Sequence, residues 1–276
     1  MHIRADRDDL ADAFGRANRA VGTRAALPIL SGVLCKVIGS SLNITGTDLE
    51  LTIRLTVEVG GERDGAAVVP ARLVGDIVKA LPAGAVEVDL ADATDGSEMS
   101  ISAGRSQFSV RPLSLDDYPA PSEAAAVAVS LPAADMAVAL RQVGRAASTD
   151  GARAGLTGVL LAAEDDGLRM VATDSYRLAV RDLPESSMLG SGQKVLIPGR
   201  ALSELQRLMG NEESLTVRLG EREATFEAGT TRLSTRLIEG EFPNYRNLLP
   251  SSYPNLLTIS KPAMIEAIRR VKILAQ

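Results

Sequence analysis

The side chains that most enzymes use for acid–base and nucleophilic catalysis are scarce in this sequence, which has one histidine, one cysteine and no tryptophan. A Ser/His/Asp or Cys/His site would have to use His2, next to the first residue. The motifs HExxH, paired CxxC, GxxxxGK(S/T) and GxGxxG are all missing. We therefore expect no catalytic centre, no metal site and no cofactor.

Membrane-spanning and targeting segments are missing as well. No apolar run approaches the ~20 residues of a spanning helix, and residues 1–6 lack the apolar stretch of a signal peptide. Cys35 has no partner for an internal disulfide, and its setting in a predicted strand indicates a packed apolar side chain rather than a reactive thiol. These features favour a cytoplasmic protein.

What the sequence does contain is an internal repeat. Residues 10–54 align without a gap with residues 136–180, at an offset of 126. Thirteen of the 45 pairs are identical, although four of these are alanine pairs and carry little weight. Such self-similarity is typical of stacked copies of one unit. Positions that the copies share are expected to hold the fold, and positions where one copy departs are candidates for function.

Hydrophobic periodicity predicts the same order of elements in each copy, two strand–helix–strands units of about 60 residues. The second helix of the first copy follows Pro70, and we expect Leu73, Ile77 and Leu81 on its buried face. The other helices are predicted at residues 8–21, at 133–147 and after Pro198. The strands of the first copy are predicted at 2–5, 32–38, 42–47, 51–58, 67–69, 86–90, 99–102 and 107–113. Those of the second copy are predicted at 158–163, 168–172, 178–181, 215–219, 224–227 and 231–237.

Two further segments complete the plan. The Ala- and Pro-rich residues 120–127 are interpreted as the join between the copies. A third copy begins near residue 257, and its first helix reaches Gln276.

Basic residues recur at equivalent positions of the helices, off the predicted apolar face. Arg19 matches Arg145, and Arg269 matches Arg141. In the second helices, Arg72 matches Arg200 and Lys79 matches Arg207. The net charge of −5 argues by itself against a nucleic-acid partner, but binding depends on where the cations lie. The recurrence favours a surface for a repeating polyanion, contacted through phosphates without base recognition; the alternative is an ordinary solvated helix face.

The segment Ala172-Thr173-Asp174-Ser175-Tyr176-Arg177-Leu178-Ala179 departs from the repeat. Its Thr-Asp pair matches Thr47-Asp48, and we predict that these side chains bond the backbone of a turn. Ser-Tyr-Arg replaces Leu-Glu-Leu immediately afterwards. A Tyr and an Arg beside Leu178 and Leu156 are typical of a recognition pocket, and loop drift is the other interpretation.

In this segment the chain resembles the beta subunit family of bacterial DNA polymerase III, the DNA sliding clamps. Two further motifs carry the resemblance, Leu27-Pro28-Ile29-Leu30-Ser31-Gly32-Val33-Leu34, and Phe242-Pro243-Asn244-Tyr245-Arg246 followed by Leu248-Leu249-Pro250. The resemblance implies an α+β fold of tandem clamp domains, each of two β-α-βββ units with helices on the inner face and antiparallel sheets outside. It implies clamp domain I at residues 1–122, domain II with one side of a partner-peptide pocket at 123–254, and the start of domain III at 255–276.

The family function implied is that of a non-enzymatic processivity factor: a head-to-tail homodimeric ring around duplex DNA. The ring tethers polymerase, clamp loader and repair factors through a short linear peptide. The DNA contacts implied are Arg24 and the helix cations Arg72, Lys79, Arg141, Arg145, Arg200 and Arg207. The peptide side of domain II comprises Leu156, Thr173, Ser175, Tyr176, Arg177, Leu178, Pro243 and Leu248.

Two rival functions remain at this stage. One is a hydrolase that uses Asp174, Ser175 or Glu241, which lacks a nearby histidine base. The other is a repeat scaffold that binds peptides and no DNA. Because the family closes its ring through the third domain, we also expect this 276-residue form to close no stable ring and to bind partner peptides weakly.

Overall fold

A computed structural model describes residues 1–22, 27–91, 97–120, 127–164, 167–184, 186, 188–250 and 252–275. They form two compact units, Met1–Phe242 and Pro243–Gln276. Each unit is described by itself below.

The first copy contains two helices and nine strands in the described part of the chain. The helices are α1 (Arg7–Ala17) and α2 (Ala71–Ala80), and a short 3-10 turn at Asn18–Ala20 extends α1. The strands are β1 (His2–Asp6), β2 (Gly32–Ile38), β3 (Ser41–Thr47), β4 (Leu51–Glu58), β5 (Gly60–Arg63), β6 (Gly65–Pro70), β7 (Ala85–Asp89), β8 (Met99–Ala103) and β9 (Ser106–Val110).

The second copy repeats this order. Its helices are α3 (Ala133–Val143), extended by a 3-10 turn at Gly144–Ala146, and α4 (Gly199–Leu208). A longer 3-10 segment, Gly151–Leu156, precedes its first central strand. The strands are β10 (Val129–Pro132), β11 (Gly158–Glu164), β12 (Gly167–Thr173), β13 (Leu178–Pro184), β14 (Lys194–Pro198), β15 (Ser214–Leu219), β16 (Glu223–Ala228) and β17 (Thr231–Arg236).

All strand pairs within the three sheets are antiparallel, as predicted for an α+β fold. The largest sheet has eight strands in the order β10-β15-β16-β17-β4-β3-β2-β6 and therefore runs from one copy into the other. The two copies meet at β4 and β17, where Ile53 lies opposite Leu233. Both side chains belong to a continuous apolar core that includes residues of each copy. The other sheets are β5-β1-β7-β8-β9 and β13-β12-β11-β14.

The helices pack in pairs, α1 against α2 and α3 against α4. Asp6 caps α1, since its Oδ1 accepts a hydrogen bond from the Asp8 N–H at 2.8 Å. Helices α2 and α4 each begin directly after a proline, Pro70 and Pro198, as the sequence predicted. The buried residues of α3, with Met136, Leu140 and Val143 among them, are also those that periodicity predicted.

The buried face of α2 was predicted correctly only in part, since Leu81 is buried and Ile77 is partly buried against the core. Val74, Gly75 and Val78 are buried, whereas Leu73 is 50 % exposed. Gly75 faces α1, since a Cβ at this position would lie in ordinary van der Waals contact with the Cβ of Phe14, 3.8 Å away. The larger Leu73 side chain therefore lies outside the buried face of α2.

Strand limits also differ from the predictions. The strand predicted at 107–113 ends at Val110, β5 was not predicted, and no bounds were predicted for β10 and β14, the strands before the helices of the second copy. Helix α1 ends at Ala17, and its predicted last turn is 3-10. Most of the predicted join, residues 121–126, lies outside the described residues.

The second unit contains a 3-10 turn at Tyr245–Leu248 and helix α5 (Lys261–Lys272). No residue of α5 is buried, and Ile268 and Val271 are 54 % and 67 % exposed. In the described part of the chain, no helix is both long and apolar enough to cross a membrane.

Candidate nucleic-acid and peptide interfaces

The turn between β3 and β4 is held by the two side chains that the repeat shares. Thr47 Oγ1 accepts a hydrogen bond from the Leu49 N–H at 3.1 Å. Asp48 Oδ1 accepts from the N–H groups of Glu50 and Leu51 at 3.1 and 2.8 Å. Leu49 adopts a left-handed conformation with φ of 76°, so these bonds stabilise a backbone shape that leucine disfavours.

The turn between β12 and β13 is built in the same way. Thr173 Oγ1 accepts from the Ser175 N–H at 3.1 Å, and Asp174 Oδ1 accepts from Tyr176 and Arg177 N–H at 3.0 Å each. Ser175 has a φ of 78°, equivalent to that of Leu49. The predicted structural role of the Thr-Asp pair is therefore confirmed in both copies.

The carboxylate of Asp174 also meets a side chain, since Arg177 Nε lies 3.0 Å from its Oδ2. Desolvation alone would raise the pKa of Asp174, but the N–H groups of Tyr176 and Arg177 and the Arg177 guanidinium together hold it below its ordinary value. The turn thus carries a stable negative charge beneath its exposed tip.

The tip of this turn presents the side chains that break the repeat. Tyr176 is 94 % exposed, and the side chain of Arg177 is 63 % exposed. Leu156 and Thr173 are buried, and Leu178 is half-buried. A large exposed aromatic ring on a rigid turn is a suitable anchor for a partner.

Sequence reasoning missed one residue of this surface, Arg153. Its Nη1 donates to Ser175 Oγ at 3.2 Å, and its Nε forms an ion pair with Asp150 at 3.0 Å. The 3-10 segment Gly151–Leu156 brings it to the turn, and nothing in the sequence spacing indicates this contact. Two of the predicted peptide-site residues, Pro243 and Leu248, lie in the second unit, where both are exposed.

The predicted DNA contacts on the helices are all exposed at the surface of the first unit. Arg72 and Lys79 lie on α2, Arg141 on α3, and Arg145 in the 3-10 turn that follows α3. None of these four forms an ion pair with a described residue. Arg24 lies outside the described residues.

The cations of α4 are neutralised at the junction of the copies. Arg200 Nη1 lies 2.6 Å from Asp48 Oδ2, which belongs to the turn of the first copy. Glu204 pairs with Arg207 at 2.5 Å and with Arg19 at 3.3 Å. The contact between Arg19 and Glu204 also brings the end of α1 to α4.

These contacts arrange the helices as a row in the order α2, α1, α4, α3. Counted with their 3-10 extensions, the four helices carry nine basic and six acidic residues, a net charge of +3 in a chain of −5. The four cations without ion pairs lie on the two outer helices of the row. The basic residues that recur on the helices are therefore distributed unevenly, because those without ion pairs lie on the outer helices of the row.

Comparison with known proteins identifies the family of the chain. The model of the DNA polymerase III beta subunit N-terminal domain matches residues 1–122, and that of the central domain matches residues 130–244. The beta sliding clamp of Micrococcus luteus is 34 % identical over 281 residues, which cover 100 % of this chain and 89 % of that protein. The chain belongs to the DNA polymerase III beta subunit family.

Solved structures agree with this assignment. The Caulobacter crescentus clamp, 27 % identical, superposes with a TM-score of 0.92 over 98 % of this chain and 73 % of that one. That crystal contains polyethylene glycol in a region described as a candidate for beta-motif tethering. The Pseudomonas aeruginosa clamp bound to griselimycin, 29 % identical, has a TM-score of 0.84 over 92 % of this chain and 69 % of that one.

Family membership decides the type of protein. The chain is a DNA sliding clamp, a non-catalytic processivity factor of DNA replication. The rival hydrolase, with Asp174, Ser175 or Glu241 as its catalytic groups, is therefore wrong.

Proposed function

We propose that duplex DNA passes along the helix row and that Arg72, Lys79, Arg141 and Arg145 contact its phosphates. Exposure and the lack of a carboxylate partner support this choice, because a free guanidinium or ammonium gains more from a phosphate than one already paired. Contacts of this kind hold the duplex without recognising its sequence.

Arg200 and Arg207 are secondary contacts in this proposal. Each must share its charge with Asp48 or Glu204, so a phosphate competes with a carboxylate that is already in place. Arg24 remains a proposed contact on the family resemblance alone.

The second proposed interface is the turn at residues 173–178. Tyr176 and Arg177 engage a short linear peptide of the replicative polymerase, clamp loader or repair proteins, with Leu156, Thr173, Ser175 and Leu178 beneath or beside them. Tyr176 is exposed on a turn that four hydrogen bonds and one ion pair hold in place, and this supports the assignment. Pro243 and Leu248 of the second unit remain proposed peptide contacts on the family resemblance alone.

Assembly and location complete the proposal. The domain division is 1–122, 123–254 and 255–276, the ring is a head-to-tail homodimer, and the protein acts in the cytoplasm. The division is supported by the limits of the two matched family models, which end at residues 122 and 244.

The DNA interface is tested by equilibrium binding to duplexes of unrelated sequence at several salt concentrations. The wild-type affinity should fall with salt and be similar for all sequences. The combined variant Arg72→Gln, Lys79→Gln, Arg141→Gln, Arg145→Gln should lose most of the affinity and flatten the salt dependence. The combined variant Arg200→Gln, Arg207→Gln should lose less.

A peptide-binding scaffold without DNA affinity is the competing function, and the same titration separates the two. No salt-dependent binding by the wild type would favour the scaffold. An equal loss of affinity from Arg105→Gln, a cation in the hairpin of β8 and β9, would contradict the assignment of the DNA contacts to the helix row.

A further inference from the structure

Two arginines lie directly opposite each other where the copies join. Arg54 of β4 is the register partner of Arg232 of β17. Their neighbours Ile53 and Leu233 face the core, so alternation places both arginines on the other face of the sheet, away from the helices. Like charges at directly opposed positions destabilise an antiparallel pair.

The charge at this position is only partly compensated. Glu227 of β16 lies 2.6 Å from Arg232 and 3.7 Å from Arg218, so one carboxylate serves two guanidinium groups. The side chain of Arg54 forms neither an ion pair nor a hydrogen bond within the described part of the chain. Burial, and then the charge of Arg232, lower the pKa of Arg54, as expected for a cation held without an anion.

A groove of about 290 Å³ opens at the same place, lined by Asn43, Arg54, Thr56, Glu227, Gly229, Thr230, Thr231 and Arg232. Thr56 Oγ1 donates to Asn43 Oδ1 at 3.0 Å, which leaves the Asn43 amide nitrogen free to donate. The groove therefore combines two guanidinium groups and a neutral amide donor with one carboxylate, Glu227, which is already paired with Arg232. These are the groups that bind oxyanions in proteins.

We propose that this groove binds a small oxyanion of the phosphate class between Arg54 and Arg232. A tetrahedral oxyanion accepts several hydrogen bonds at once, and each guanidinium presents two parallel N–H donors. The bound anion offsets the repulsion across the seam between the copies. The site lies on the face of the sheet opposite the helix row, so it is separate from the proposed DNA interface.

Inorganic phosphate is the probe. Isothermal titration and thermal unfolding are carried out on the whole chain at constant ionic strength, with chloride exchanged for phosphate. Wild-type protein should bind phosphate and unfold at a higher temperature in its presence. Arg54→Gln and Arg232→Gln should each weaken phosphate binding at least about tenfold, because one of the two guanidinium groups is lost.

A second result separates this site from general salt effects. Without phosphate, Arg54→Gln should unfold at the same temperature as the wild type or higher, since it relieves a like-charge pair. Arg105→Gln removes an exposed charge elsewhere on the surface and should leave the phosphate response unchanged. Equal phosphate responses in wild type and Arg54→Gln would overturn the proposal.

The affinity of Arg54→Gln for duplex DNA distinguishes a small free anion from a phosphate of the DNA backbone. If a backbone phosphate occupied the groove, Arg54→Gln would weaken DNA binding, and the proposal of a small-anion site would be wrong. Unchanged DNA affinity together with lost phosphate binding supports it.

Discussion

At the scale of single residues, Gly46 shows how closely the first helix meets the sheet. A Cβ at this position would lie 2.3 Å from the carbonyl oxygen of Ala17, the last residue of α1. Gly46→Ala must displace backbone, so we expect a loss of roughly 1–3 kcal/mol of unfolding free energy in urea.

The matched control lies in α1 itself. A Cβ at Gly15 would meet no atom within 4 Å. Gly15→Ala should therefore raise the unfolding free energy by about 0.5–1 kcal/mol. A stabilising effect of Gly46→Ala would contradict the packing described here.

Tyr176 offers a second test at this scale. Tyr176→Ala removes a side chain that is 94 % exposed, so the unfolding free energy should stay within about 0.5 kcal/mol of the wild type. The affinity for a partner peptide should fall by roughly 10- to 100-fold if the ring is an anchor. Fluorescence anisotropy with a labelled peptide measures this. Glu50→Ala changes the equivalent position of the other turn and should leave peptide affinity intact.

The same residues show what could be predicted from the sequence. The repeat offset of 126 residues pairs Thr47-Asp48 with Thr173-Asp174. Because Thr and Asp side chains commonly accept hydrogen bonds from the backbone of a turn, these bonds could be predicted. Arg153 could not be predicted, because its contact with Ser175 depends on the path of a 3-10 segment and the matching position of the first copy holds Leu27.

At the scale of elements, the turn at 173–178 should respond to acid in a defined direction. The pKa of Asp174 lies below its ordinary value, so its stabilising contribution is present above the ordinary pKa and is lost as the pH falls through the lowered one. Carboxyl NMR should find this titration below that of an unperturbed aspartate. Arg177→Met should raise the pKa without restoring it fully, because the two N–H groups remain.

Arg181→Met is the control for this titration, since Arg181 interacts with Asp182 rather than with Asp174. An Asp174 pKa that is unchanged by Arg177→Met would show that the ion pair does not act on this carboxylate.

Helices α2 and α3 show where hydrophobic periodicity predicts the buried face of a helix and where it does not. In α3 the larger apolar residues are the buried ones, and the predicted face is correct. In α2 the helix faces α1 with Val74, Gly75 and Val78, and the larger Leu73 stays exposed. Periodicity identifies apolar positions, but which of two neighbouring apolar positions is buried depends on how the helix packs against its neighbours.

At the scale of the whole molecule, the sequence predicted two copies but not how they join. The pairing of β4 with β17 is a long-range contact between strands that alternate equally well on their own. It also places Arg54 opposite Arg232, which no local pattern could indicate. Asp48 neutralises the charge of Arg200 at the same junction.

The central claim is that the helix row, and not the opposite face of the large sheet, meets duplex DNA. Cys35 is buried and burial raises its pKa to about 12, so a photo-crosslinking reagent should label an introduced cysteine selectively. Asp76→Cys on α2 and Gln142→Cys on α3 place the reagent among the free cations, and Lys36→Cys places it on the opposite face. The account predicts salt-sensitive crosslinks to duplex DNA from the first two positions and few from the third. Crosslinking that is equal at all three positions, or strongest from Lys36→Cys, would contradict it.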